Sequence, residues 1–200
     1  MNIGEEKSKI RKEVIRRRRL LPASVIKGIN ESLPDFIFSI EDDELKNKLK
    51  NAKRIALYRS INGEVPVDAL AEEFIRRGIK CCFPRVTNDK EMIFCDCEGI
   101  NDTEFEEGSY GIREPLSSKK AVDPKDIDVV VLPAVAYNEE GTRLGMGGGY
   151  YDRFIAFCGD KRPYLLGICY EFQICSNVPS DEHDITADFI AVIPEEVYGE

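Results

Sequence analysis

The sequence predicts an α/β fold, a mainly parallel sheet with helices on both faces, and three observations lead to it. From residue 54 onward, segments of strand character alternate with segments of helical period, the order that generates β-α-β crossovers. The run 128–133, DVVVLP, is continuously apolar rather than alternating, as suits a strand covered on both sides. A segment with four glycines in five positions, 145–149, leads straight into a helical pattern. Such joins lie beyond the carboxyl ends of the strands, where open α/β sheets hold their ligands.

Each element has a local reason. Residues 5–21 read as a helix with Ile10, Val14 and Leu21 as its apolar stripe. Lys7, Arg11 and Arg18 share a face beside that stripe, since steps of four and seven return to the same side. Leu21-Pro22 ends the helix. Residues 23–52 read as two helices broken near Pro34, the second starting at the acidic run 41–44. Residues 54–59 (RIALYR) form a strand, 60–66 (SINGEVP) a loop, and 67–77 a helix with Ala69, Leu70 and Phe74 inward. Short apolar strands follow at 80–84 and 92–95, then 128–133. A helix over 150–157 and strands at 164–168 and 189–193 complete the pattern. The ligand rule then directs attention to loops 59–66, 134–149 and 170–187.

Two hundred residues, 42% hydrophobic and 32% charged, fit one domain spanning 1–200, large enough to fold without disulfides or metal. There is no run of ~18 apolar residues, and the first residues lack a signal peptide's apolar core. Cytoplasmic residence is expected. The net charge is −9, unevenly spread. Residues 1–20 hold eight Lys/Arg against three Glu, so a basic helix rides on an acidic body. That body is a poor nucleic-acid groove, whereas a small anion held by one basic element is compatible with it. Seven cysteines without export signal or zinc spacing read as reduced thiols packed in strands. A single histidine, His183, excludes paired-histidine metal sites and leaves only itself for a serine-type triad.

Three segments could carry chemistry. In 142–153, TRLGMGGGYYDR, bare glycine backbone can converge on an anion, and the following helix N-terminus attracts phosphate. It is neither a P-loop nor a dinucleotide fingerprint, and a plain tight turn would use the same residues. Asp152, three residues inside that helix, suits magnesium beside phosphate oxygens or simply the helix dipole. In 61–66, INGEVP, Glu64 could accept hydrogen bonds from an amino-amide edge, or be a solvated loop charge. The segment 178–184, VPSDEHD, is a polar loop or a surface turn. Lys7 and Arg11 could neutralise an anion or be a solvated helix face.

Together, RLGMGGGYYDR, the early Lys7-x-x-x-Arg11, NGEVPVDAL and VPSDEHD resemble the 5-formyltetrahydrofolate cyclo-ligase family over about residues 5–195. The resemblance implies a three-layer α/β/α sandwich akin to the sugar-phosphate isomerase and CoA-transferase group. It also implies ATP- and Mg²⁺-dependent closure of 5-formyltetrahydrofolate to 5,10-methenyltetrahydrofolate; a monomer is expected, and charge and hydropathy lead to no expectation of a nucleic-acid or membrane partner. By position it assigns Lys7, Arg11, Arg143, Leu144, Gly145, Met146, Gly147, Gly148, Gly149, Tyr150 and Tyr151 to ATP. Arg143 and Tyr150 are its catalytic candidates. Arg59 and Glu64, with Met146, Gly147, Gly148, Gly149 and Tyr150, fall to the folate; Asp152 and Asp184 to Mg²⁺; and Tyr137, loosely, to the ring or formyl side. Two positions depart from the family's pattern: Val67 where Thr is common, and Gly148 where some members have Lys. An isomerase, a relative acting on another formylated heterocycle, and a nucleic-acid arm are the rival readings.

Overall fold

The computed structural model describes residues 3–87, 91–108, 111–179 and 184–198. Helix α1 spans Ile3–Leu20, α2 Ala23–Ser39 and α3 Asp43–Asn51. Strand β1 is Arg54–Ala56, helix α4 Asp68–Arg76, β2 Lys80–Val86 and β3 Met92–Cys97. Two short strands, β4 (Phe105–Glu107) and β5 (Arg113–Pro115), form a hairpin. Then come β6 (Val129–Leu132), β7 (Ala136–Tyr137), β8 (Arg143–Leu144), α5 (Tyr150–Cys158), β9 (Tyr164–Tyr170) and β10 (Phe189–Ile193).

Six strands make one sheet in the order β10-β9-β6-β1-β2-β3. Every pairing in it is parallel except β2 with β3. The apolar run behaves as its pattern requires, all four β6 residues being buried. Alternate residues feed two cores. Val129, Val131, Leu166 and Ile168 face the layer formed by α2, α3 and α4, while Val130, Leu132 and Leu165 face Tyr151, Phe154 and Ile155 of α5. This is the predicted α/β fold with a mainly parallel sheet.

Two readings of the sequence need correction. Helix α2 does not break at Pro34 but runs through it. Proline deletes one backbone bond at a cost of about 3 kcal/mol, and the buried stripe of Ile29, Leu33 and Ile37 offsets this by seating the whole helix on the core. The hairpin of β4 and β5 and the short pair β7–β8 were not predicted. Elements of two or three residues are too short to display a period.

Chain order reverses beside β1. From there the chain adds β2 on one side and β6, β9 and β10 on the other. The loops leaving β1 and β6 therefore flank the topological switch point, the standard crevice of such sheets. Helix α1 crosses this end of the molecule with Lys7, Val14 and Arg18 buried. Among the described residues no helix is long and apolar enough to cross a membrane.

Candidate functional site

The loop after β1 turns sharply at Asn62 and Gly63, both at positive φ (51° and 72°). The Glu64 N–H donates to the Ile61 carbonyl at 3.0 Å, so this is a tight turn of the kind that favours Asn-Gly. A side chain on Gly63 would start 2.7 Å from the Arg18 carbonyl oxygen, so only glycine lets the turn press against the end of α1. The Tyr58 hydroxyl donates to the Val65 carbonyl at 2.8 Å and closes the loop. Glu64 is left nearly buried, accepting from the Ile61 N–H at 3.1 Å. Its other oxygen, Oε1, lies 3.4 Å from Nη1 of Arg18. Burial raises its pKa above the ordinary carboxylate value, a shift that Arg18, the Ile61 N–H and Arg143 partly counter.

The loop after β6 supplies the glycines. Gly147 and Gly149 adopt positive φ (98° and 65°), and Gly149 is the left-handed N-cap of α5, with no side chain capping it. The first N–H groups of α5 are thus presented without a side-chain competitor. Arg11 of α1 donates to the Gly145 carbonyl at 2.8 Å, and a Cβ on Gly147 would come within 3.7 Å of its guanidinium. Arg143 is buried on the other side of Gly145. It donates through Nε to the Pro133 carbonyl at 2.7 Å, faces Asp152 at 3.3 Å and lies over the Tyr151 ring at 5.3 Å.

A third segment is stitched to the second. The Arg143 N–H donates to the Ile185 carbonyl and the Ala187 N–H to that of Gly141. This brings Asp184 up to α1, where Lys7 Nζ meets its carboxylate at 2.6 Å. Lys7, Arg11, Arg143, Gly145, Gly147, Asp152 and Asp184 are thereby linked contact by contact, with Leu144, Met146, Gly148, Gly149 and Tyr150 on the same stretch of chain. Met146 is a half-exposed large apolar side chain.

Four expectations fit less closely. The Tyr151 ring is buried against Phe94, so its ring carries Arg143 rather than facing solvent. Tyr137 is fully buried, its hydroxyl donating to Leu132; it packs beneath the loops. Arg59 pairs with Asp68 at 2.9 Å and lies over the Phe105 ring at 4.8 Å, tying α4 to the hairpin instead of joining Glu64. His183 and the rest of 180–183 lie outside the described residues.

Sequence reasoning placed Arg18 on the basic face but gave it no task. It is among the largest fully buried side chains, donating to the Ala134 carbonyl at 3.3 Å. Gln173 was missed; its amide donates to the carbonyls of Ala134 and Val135 at 3.0 and 2.9 Å. No local signal marks it, because the contact depends on tertiary placement.

Asp152 and Asp184 are oxygen donors, both partly exposed (27% and 19%). Among the described residues no group of three or more potential metal ligands occurs. Two carboxylates suit Mg²⁺, which takes one or two from protein and the rest from phosphate and water.

A family model described as the 5-formyltetrahydrofolate cyclo-ligase family matches residues 3–193. The 5-formyltetrahydrofolate cyclo-ligase of Mus musculus is 27% identical, the match covering 94% of each chain. That of Mycoplasma pneumoniae is 28% identical over 92% of this chain and 97% of its own. The NMR structure of the Aquifex aeolicus 5,10-methenyltetrahydrofolate synthetase superposes with a TM-score of 0.75 at 30% identity, covering 93% of this chain and 89% of that one. The Mycoplasma pneumoniae synthetase structure gives 0.67 at 29%, covering 92% and 97%. With its motifs in order and its fold shared throughout, the chain belongs to the 5-formyltetrahydrofolate cyclo-ligase family and is an enzyme of that ligase class.

Proposed function

We propose that this enzyme uses ATP and Mg²⁺ to close 5-formyltetrahydrofolate to 5,10-methenyltetrahydrofolate, releasing ADP and phosphate. The observation that carries the reading is the convergence of Arg11 and Arg143 on one glycine loop at an uncapped helix start, with Lys7, one turn before Arg11 on the same helix, held against Asp184.

The chemistry follows from what must be overcome. A formamide carbon is a weak electrophile and its oxygen a poor leaving group. The formyl oxygen attacks the γ-phosphorus of ATP, and the bond to the bridging oxygen breaks to release ADP. N10 then adds to the activated carbon, and phosphate departs with the C–O bond as N10 gives up its proton. This sequence needs alignment and charge neutralisation more than a strong base, which suits a chain with one histidine.

In this reading Lys7 and Arg11 meet the phosphates from α1, and the backbone of 145–149 wraps them. Arg143, with Tyr150, stands at the transferred group. Glu64 accepts from the pterin's amino-amide edge, with Met146 bordering the ring. Asp152 and Asp184 would hold Mg²⁺, which neutralises phosphate charge when bound. The test is optical. The protein with 5-formyltetrahydrofolate and Mg-ATP should generate the conjugated methenyl chromophore, and omission of ATP should abolish it. A chromophore formed equally without ATP would overturn the proposal.

A further inference from the structure

Arg18 is 1% exposed. Burying a guanidinium is costly unless something else requires it. Its fork is only partly used, since Nε has no hydrogen-bond partner and Nη1 lies near Glu64 without a formed hydrogen bond. A residue kept merely to lock the fold would be expected to fill its donors. What Arg18 does instead is place a positive charge beside one carboxylate.

We propose that Arg18 is a positioning residue that keeps Glu64 a carboxylate and fixes the 61–64 turn against α1, so that ligand recognition by Glu64 persists through neutral pH. This rests on Glu64 receiving the folate. The geometry supports it from two sides. Gly63 sits directly on the Arg18 backbone, so the turn and the charge are placed by the same residue. Glu64 gives Oε2 to the Ile61 N–H, while Oε1 has only the electrostatic contact. That oxygen keeps lone pairs for a ligand's N–H groups.

The remaining surroundings do not substitute for Arg18. Tyr58 on β1's continuation, Tyr137 on β7, Tyr151 on α5 and Tyr170 on β9 lie close enough to interact with Glu64 or Arg18, and burial pushes all four hydroxyls upward, so they stay neutral. The nearby Cys169 thiol is likewise pushed up to about 12 by burial. Arg143 is the other cation acting on Glu64, and it is already paired with Asp152.

The experiment compares wild type with Arg18→Met, Arg18→Gln, Glu64→Gln and the Arg18→Gln/Glu64→Gln double variant. KM for 5-formyltetrahydrofolate and for ATP is measured from pH 6 to 8.5, and the Glu64 carboxyl is titrated by ¹³C NMR without substrate. The folate KM of wild type should vary little. That of either Arg18 variant should rise roughly tenfold toward pH 6, as a carboxylate without its counter-charge takes up a proton, while the ATP KM moves little. In the Glu64→Gln background the Arg18 substitution should add no pH dependence. Unchanged Glu64 titration in Arg18→Gln, or a pH effect that survives Glu64→Gln, overturns the proposal. If the Met variant does not fold, the Gln variant decides. A wild type that forms no methenyl product, with Glu64 still shifted in Arg18→Gln, instead refutes the reaction and spares the electrostatic pairing.

Discussion

Replacing Gly145 with alanine isolates the contribution of a single cleared volume. Gly145 is not among the glycines with positive φ, so alanine brings no backbone strain. Its methyl carbon, however, would sit 2.7 Å from Nη2 of Arg143 and 2.9 Å from Cζ and Nη1. Restoring ordinary contact requires a shift of roughly 0.7 Å. The loop cannot easily yield, because Arg11 holds the Gly145 carbonyl at 2.8 Å. The guanidinium must move, and the Nε bond to Pro133, now 2.7 Å, would leave hydrogen-bonding range. Losing one charge-assisted bond costs about 1.5–3 kcal/mol, and misplacement on this scale can cost on the order of 100-fold in rate. We expect kcat/KM for methenyl formation to fall between about 10- and 100-fold, with an unchanged far-UV circular dichroism spectrum. Activity within about threefold of wild type would show that Arg143 need not occupy its observed position.

Three further outcomes are expected. Val67 leaves α4 without a side-chain cap, and Asn30 of α2 takes its place by accepting the Ala69 N–H at 3.2 Å. Asn30→Ala should therefore lower stability in urea by about 1 kcal/mol, and Val67→Thr should recover part of that loss; a silent Asn30→Ala would remove the capping role. Burial raises the Asp188 pKa, but Arg162 at 2.7 Å and the Leu165 N–H at 2.8 Å outweigh it and leave a net lowering. A lowered carboxyl stabilises above its unfolded value of 3.8 and ceases to do so as pH falls through the folded value, so Asp188→Asn should cost about 1 kcal/mol at pH 7 after solvent screening and progressively less as the pH is lowered below 3.8. Asp184→Asn should bind ATP more tightly than wild type without Mg²⁺, because a negative charge is removed beside Lys7, and more weakly with it; calorimetry showing the same change under both conditions would remove Asp184 from the metal.

Legibility in the sequence followed the physical source of each feature. The strands at 129–132 and 164–170 could be read because burial on both faces demands unbroken apolar runs, and the partly buried edge strand at 189–193 because it is apolar throughout. The glycine loop could be read because close backbone approach demands glycine, and α1's basic face because helical spacing places Lys7, Arg11 and Arg18 together. Pro34 misled because the proline penalty is local, whereas the packing of Ile29, Leu33 and Ile37 that outweighs it is not. The partners of Arg59 were not legible, because nearness in sequence to Glu64 does not reveal that Asp68 and Phe105 lie against its side chain. Gln173 and Asn30 were invisible for a related reason: each satisfies a backbone group distant in the chain, and a single polar residue carries no mark of that.

The proposed reaction asks a chain of net charge −9 to receive a polyphosphate, and the arrangement of charge at the site bears on how it would. Lys7 faces Asp184, Arg143 faces Asp152 and Arg18 faces Glu64, so three cations of the site are each matched by a carboxylate. Matching keeps the cations fixed without leaving buried charge unpaired. An incoming phosphate must then take Lys7 and Arg143 away from their carboxylates. That exchange strands two negative charges beside a third unless a divalent cation arrives with the nucleotide. In the proposed reaction, Mg²⁺ would offset that charge. Arg18 and Glu64 are shielded from solvent, and Arg18 shares α1 with Lys7 and Arg11, so one helix carries both of those cations and the backbone on which the Glu64 turn rests.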